Sequence, residues 1–399
     1  MIDARRVLER VHQQLTPPAD AFERFLAYRG QRRRRQRLAS AAVALVIAAA
    51  GIGLAVRALQ PMATPEPAET PEPTLAPANP RVAWTVPVGP RGQTHAILYA
   101  EEGLWVSFRE ATPDVHVEDY FLERLDPLTG REVARIEAAV PGWVTGGGGL
   151  AAGFGSIWVT GTDPGSPGDA RAVVDRVDPA TNEVLARIPL PGRSGADIAI
   201  GQDAVWVAFS GNQHAGVARI DPSTNDVVAT TELESNDVRY IAAAGHAVIV
   251  SELGPEDLGP CAILTSIDPA SNVVVARTPV DQGCNNVVRL LAWQGEVWAS
   301  TSALSRVDPE TAQLSGVPLA FHQGRFPRSF LLTGMREVWF AAYPGGDGGV
   351  GDTLARLDPA TGEIEYFERV DPSGIAATLG PDAIWTLSFD GTVTRIDLR

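Results

Sequence analysis

Lysine is absent from this chain: all 33 cationic side chains among its 399 residues are arginine. That bias carries no functional weight by itself. Cysteine is almost absent, with only Cys261 and Cys284. Two cysteines exclude a small fold framed by several disulfides. Familiar catalytic signatures are missing as well. The chain has no Gly-x-Ser-x-Gly for a serine nucleophile, no His-Glu-x-x-His for zinc and no phosphate-binding loop. Gly146–Gly149 resembles a nucleotide loop in composition only, because no Lys-Ser/Thr pair or helix follows it. His95, His116, His214, His246 and His322 stand singly along the chain.

What the chain does contain is one phrase, repeated. A cationic or polar residue and an aliphatic precede Asp-Pro at Asp126, Asp178, Asp221, Asp268, Asp308 and Asp358. A seventh, degenerate copy ends the chain at Arg395-Ile396-Asp397-Leu398. The spacing of 39 to 52 residues is the length of one four-stranded propeller blade. Upstream of each copy but one stands an aliphatic-Trp pair, at Trp105, Trp158, Trp206, Trp298, Trp339 and Trp385. In the fourth repeat Val248-Ile249-Val250 takes that place. Each repeat reads as four strands: a small-residue inner strand, the Trp strand, a third ending at Asp-Pro, and a Val/Ile/Thr-rich fourth. Pro after Asp, with Asn or Gly three residues on, is the chemistry of a tight turn.

The count of strands predicts how the ring closes. The last repeat supplies three strands, and the chain then stops. A matching fourth, Val82–Val88, precedes the first repeat with no partner of its own. Pairing it with the C-terminal strand completes seven blades and removes two exposed edges. The fold expected for residues 81–399 is an all-β, seven-bladed β-propeller.

The aliphatic-Trp-Val and Arg-Ile-Asp-Pro-Ala-Thr-Asn phrases resemble the YVTN/NHL-type bacterial β-propellers and, more distantly, the streptogramin lyases. The resemblance covers roughly residues 81–399 and implies architecture more than activity, since this repeat serves sensors, binding modules and a few enzymes alike. The lyases use a metal with a Glu-x-His pair and a further His as base. This chain has no Glu-x-His, and His116-Val117-Glu118 runs in the reverse order.

The first 80 residues read differently. Residues 1–37 hold ten Arg against four acidic residues, ending in Arg32-Arg33-Arg34-Arg35-Gln36-Arg37. An uncharged run, Leu38–Val56, follows. As a helix it would span about 29 Å, enough to cross a bilayer core. The expected organisation is a basic cytoplasmic segment (1–37), a single transmembrane helix (38–57), a Pro-rich linker (61–80) and an extracytoplasmic propeller (81–399). The basic flank sets the N-terminus inside. The net charge of −15 divides into +7 on residues 1–60, −3 on 61–80 and −19 on 81–399. So acidic a body argues against nucleic acid as a partner.

On these readings the protein is a membrane-anchored recognition, sensor or scaffold module for a protein, peptide or saccharide ligand. The alternative is a lyase or lactonase-type enzyme using a divalent cation at the channel mouth. The loops after the Trp strands vary most in length, which marks the binding face. Aligning the repeats on Trp brings His95, Asp197, Arg239, Asn286, Arg289 and Arg328 to the mouth on that face. No cofactor is required, although Asp197, Asp237 and Asn286 offer oxygen ligands of the kind Ca²⁺ or Mg²⁺ takes. Cys261 and Cys284 fall in two blade-four loops on one face, and an intrachain disulfide between them is expected.

The anchor reading has a direct test. Cell fractionation with mass spectrometry of the N-terminus should find residues 38–57 retained in a membrane-bound protein. A mature chain starting near residue 60 and released to the medium would overturn it.

Overall fold

A computed structural model describes residues 79–399 apart from 90–93, 112–117, 140–148, 164–170, 212–214, 236, 255–261, 281–287, 302, 321–326, 334–336, 343–352, 360 and 368–373. The cytoplasmic segment, the anchor, residues 61–78 of the linker, Cys261, Cys284 and Asn286 lie outside the described residues.

The described chain forms seven four-stranded antiparallel sheets. A lone strand comes first, β1 (Arg81–Pro87). Blade one is β2 (Thr94–Ala100), β3 (Gly103–Ala111), β4 (Glu118–Leu125) and β5 (Glu132–Glu137). Blade two is β6 (Leu150–Gly153), β7 (Ser156–Asp163), β8 (Arg171–Asp178) and β9 (Glu183–Pro189). Blade three is β10 (Ser194–Gly201), β11 (Ala204–Ser210), β12 (Ala215–Asp221) and β13 (Asp226–Leu233). Blade four is β14 (Val238–Ala244), β15 (Ala247–Leu253), β16 (Ala262–Asp268) and β17 (Val273–Pro279). Blade five is β18 (Arg289–Trp293), β19 (Glu296–Ser300), β20 (Ala303–Val307) and β21 (Leu314–Ala320). Blade six is β22 (Pro327–Thr333), β23 (Val338–Ala342), β24 (Thr353–Leu357) and β25 (Ile364–Phe367). Blade seven is β26 (Ala376–Leu379), β27 (Ala383–Leu387) and β28 (Thr392–Asp397), completed by β1. The register Val82↔Ile396 to Pro87↔Thr392 closes the ring between the two ends of the propeller, as the orphan strand at Val82–Val88 requires.

Burial follows position in the blade. Second strands such as β11 are buried at nearly every residue, because each is covered by a neighbouring blade on both faces. Fourth strands such as β9 and β13 alternate between exposed and part-buried, with solvent on the outer rim. The interior is divided into seven clusters, built largely from second strands and their neighbours, several of which join adjacent blades. Trp105, Trp158, Trp206, Trp339 and Trp385 are among the largest fully buried side chains.

The repeated phrase is explained by what its arginine touches. Each Trp stands directly across the strand pair from the Arg of Arg-x-Asp-Pro, as in Trp105↔Arg124, Trp206↔Arg219 and Trp385↔Arg395. The guanidinium carbon lies 5.0–5.6 Å from the indole centroid in all six blades that carry the pair. In blades one, two, three and seven the Arg also reaches into the next blade. Arg124 Nη1 donates to the Pro179 carbonyl at 2.5 Å, Arg176 to Pro222 at 2.6 Å and Arg219 to Pro269 at 2.7 Å. Arg395 donates to Pro127 at 2.7 Å, which carries the same contact across the ring closure.

The turn that receives the arginine is built by its Asp. Asp126 Oδ1 accepts from the amides of Leu128 and Thr129, and Asp221 Oδ1 from Ser223. These bonds hold the exposed carboxylates of Asp126, Asp221, Asp268 and Asp308 below their usual range, with the Thr or Ser hydroxyl the leading cause in the first three and the Thr311 amide in Asp308. The fifth turn residue is left-handed: Gly130, Asn182, Asn225, Asn272, Ala312 and Gly362 have φ of 54–74°. Asn and Gly fit that conformation readily, whereas Ala312 departs from the pattern expected. Asn182 and Asn225 also accept a second bond from the incoming Arg, at 3.1 and 2.9 Å.

Arg176 therefore combines a cation–π contact with bonds to Ser156, Pro222 and Asn225. Arg176→Ala should destabilise the protein by roughly 2–4 kcal/mol, since a stacked cation and charged hydrogen bonds are lost together. Arg176→Lys should recover less than half of that, because an ammonium cannot stack and fork at once. Thermal or urea unfolding of both variants checks this, and full recovery by Lys would refute the stacked-fork account.

Candidate functional site

The seven inner strands surround a central channel. The part bounded by β2, β6, β10, β14, β18 and β26 has a volume of about 570 Å³. Its wall is mostly aliphatic and small, with Ala151, Ala199, Ala242 and Ala292 among the lining residues. Polarity is concentrated in three residues at one end: Asp197, Tyr240 and Arg289.

These three share one register. Asp197 pairs with Ala208, Tyr240 with Ser251 and Arg289 with Ser300, each at the far end of its blade's second strand. They are therefore equivalent positions on three consecutive blades, on the side where the long loops leave.

Asp197 ties three blades together. Its Oδ1 accepts from the Ile198 amide at 2.9 Å and its Oδ2 from the Ile241 amide of blade four at 3.0 Å. The Gly149 amide of blade two also bonds to it. Burial pushes its carboxyl up to about 6, against the opposing pull of those amides and of Arg289. Arg289 places its guanidinium carbon 5.6 Å from the Tyr240 ring centroid. Burial also raises the Tyr240 phenol, with Arg289 opposing. The arc thus brings a half-buried carboxylate, a buried phenol ring and a cation together within one wall.

Of the residues expected at the mouth, Asp197 and Arg289 line the channel there. Arg239 is the neighbour of Tyr240 at a β-bulge in β14, and it holds Asp237 at 2.5 Å. Its buried Nε has no hydrogen-bond partner among the described residues. His95 occupies the matching bulge in β2 and is half-buried. Arg328 lies on β22, its side chain outside the described residues, and Asn286 is likewise outside them. Tyr240 was not anticipated. An aromatic in an inner strand reads as core, and only the bulge-corrected register sets it beside Asp197 and Arg289. Among the described residues, no group of three or more His, Cys, Asp or Glu gathers where a metal ion could be held. His246 sits at an inner hairpin turn on the opposite face, and His116 is outside the described residues.

The fold defines the class of protein: a seven-bladed β-propeller. No protein-family model matches the chain, and neither does any curated protein.

Asp197 makes stability depend on pH. Its folded value, about 6, exceeds the ordinary 3.8, so folding favours the protonated form. That contribution is complete below about pH 4 and is lost as pH rises to about 6, at most roughly 3 kcal/mol. Glu123, buried in blade one and pushed up to about 7, adds a further decline towards neutral pH. Asp197→Asn should be less stable overall, because an amide has one acceptor oxygen, and should lose the part of the slope between pH 4 and 6 that Glu123 does not supply. Urea unfolding across that range measures it, and an unchanged slope would sink the assignment.

Proposed function

We propose that this protein is a recognition module whose ligand is held at the long-loop mouth of the channel. A propeller fold commonly serves recognition or scaffolding. The observation that carries the reading is the Asp197–Tyr240–Arg289 arc: three polar side chains in one register, at the end of an otherwise aliphatic channel. A carboxylate, a guanidinium and an aromatic face suit a peptide segment or a saccharide, both of which present donors, acceptors and apolar edges together. The acidic body supports partners other than nucleic acid. The basic segment, anchor and linker would place the module outside the cell on a membrane stalk. The repeat likeness to YVTN/NHL-type propellers agrees with such a role. A bound Ca²⁺ or Mg²⁺, if one is used, would take oxygens from Asp197, Asp237 and Asn286.

Peptide and glycan arrays probed with the full-length protein should return a ligand class. Binding of the best hit should fall by 10- to 100-fold in Arg289→Ala, a loss typical of a charged contact, with little change in melting. Asp221→Ala, in an Asp-Pro turn, should lower stability and spare binding in the folded fraction. Equal loss from both variants at equal folded fraction would refute the choice of face. Turnover that a chelator abolishes would favour the metal-dependent lyase or lactonase reading instead.

A further inference from the structure

Blade four is where the repeat departs from itself, and its departures belong together. Ile249 stands where six blades have Trp, and its cross-strand partner is Ser266 where they have Arg. In the turn of blade five that would receive the arginine, Ala312 replaces the Asn or Gly found elsewhere. One assembly has lost its indole and its guanidinium together, and its receiving turn has an Ala in the left-handed position. Ser266 Oγ still donates to the Pro309 carbonyl at 2.5 Å, so the link between blades survives in a shorter form.

The missing groups leave space. A pocket of about 390 Å³ lies between blades four and five on the Asp-Pro face. Ile249, Val297 and Val307 supply apolar walls where the ring would lie, and all three are buried. Ala244 also lines it, at the position whose carbonyl takes the indole N–H in blades one to three. Glu296 and Asp308 add carboxylates at the rim, with Arg306 paired to Glu296 at 3.0 Å. A bare truncation in a core ordinarily leaves an enclosed apolar cavity that relaxes only in part. Here the void is open to solvent, is flanked by acceptors, and is lined by Ile249 in the place of the missing indole.

We propose that this pocket is a second binding site, for a planar aromatic carrying a cationic group: an arylalkylamine, or a peptide side-chain pair with the same chemistry. The ring would replace the missing indole between Ile249 and Val297. The cation would replace the missing guanidinium beside Pro309, Asp308 and Glu296. The site is on the opposite face from the channel mouth and does not depend on the function proposed there.

Tryptamine is a direct probe, because it unites an indole with an ammonium. Ligand-observed NMR on the full-length protein should show tryptamine binding in the micromolar to low-millimolar range. Neutral indole should bind several-fold more weakly and anionic indole-3-propionate more weakly still. The double variant Ile249→Trp with Ser266→Arg rebuilds the assembly of the other blades. It should melt higher than the parent and lose tryptamine binding by at least tenfold. Should the double variant fail to fold, Val297→Phe blocks the pocket from the opposite wall and should have the same effect on binding. Arg289→Ala, at the channel mouth, should leave tryptamine binding unchanged. Absence of binding to the parent at millimolar tryptamine would overturn the proposal. So would binding that persists in a folded, pocket-filled variant, or binding lost with Arg289 alone.

Discussion

The propeller depends on one contact: an arginine that lies on the tryptophan of its own blade and donates to a proline carbonyl of the next. Sheets alone do not fix a ring. Each blade satisfies its own backbone, so the angle between blades must be set by side chains. A guanidinium is suited to that task because one plane both stacks and presents several donors. The aspartate of the same phrase shapes the turn whose carbonyl is presented, so donor and acceptor of the clasp are encoded three residues apart. Buried arginines would be costly if unpaired; Arg356 and Arg395, each under 10% exposed, are instead held by carboxylates and carbonyls.

That division of labour separates the two faces. The Asp-Pro face is committed to holding blades together, and its turns are near-copies. On the opposite face blades are joined by fewer such contacts, and there the inner strands admit bulges at His95 and Arg239 and polar residues at Asp197 and Arg289. Asp197 shows how the two demands meet. Its carboxylate bonds the amides of three blades, which is structural, and it does so inside a channel that raises its proton affinity, which is chemical. Blade four is the exception on the Asp-Pro face, where the clasp shrinks to Ser266 and a pocket opens.

Much of the fold was legible along the chain because the signals are local. Asp-Pro turns, Trp strands and their spacing name the blades, and the unpartnered strand at Val82 required closure by the C-terminus. The candidate site was legible only in part. Asp197 and Arg289 stood out as polar residues in small-residue strands. Tyr240 did not, because a bulge between Val238 and Tyr240 shifts the register by one and no sequence signal marks it.

The sequence by itself determined the number of blades, their order and the ring closure, since each follows from a period and a count. It also held the Trp and Arg in every copy but the fourth, without saying that they touch. Only the tertiary structure decided that. Cross-strand pairing brings the two side chains together, and blade stacking sets the arginine against a carbonyl 46 to 55 residues away in blades one to three. The same stacking turns three scattered residues into one polar arc, and opens a pocket beside Ile249 between blades four and five. Such meetings depend on distances across sheets and between blades, which no local pattern of residues specifies.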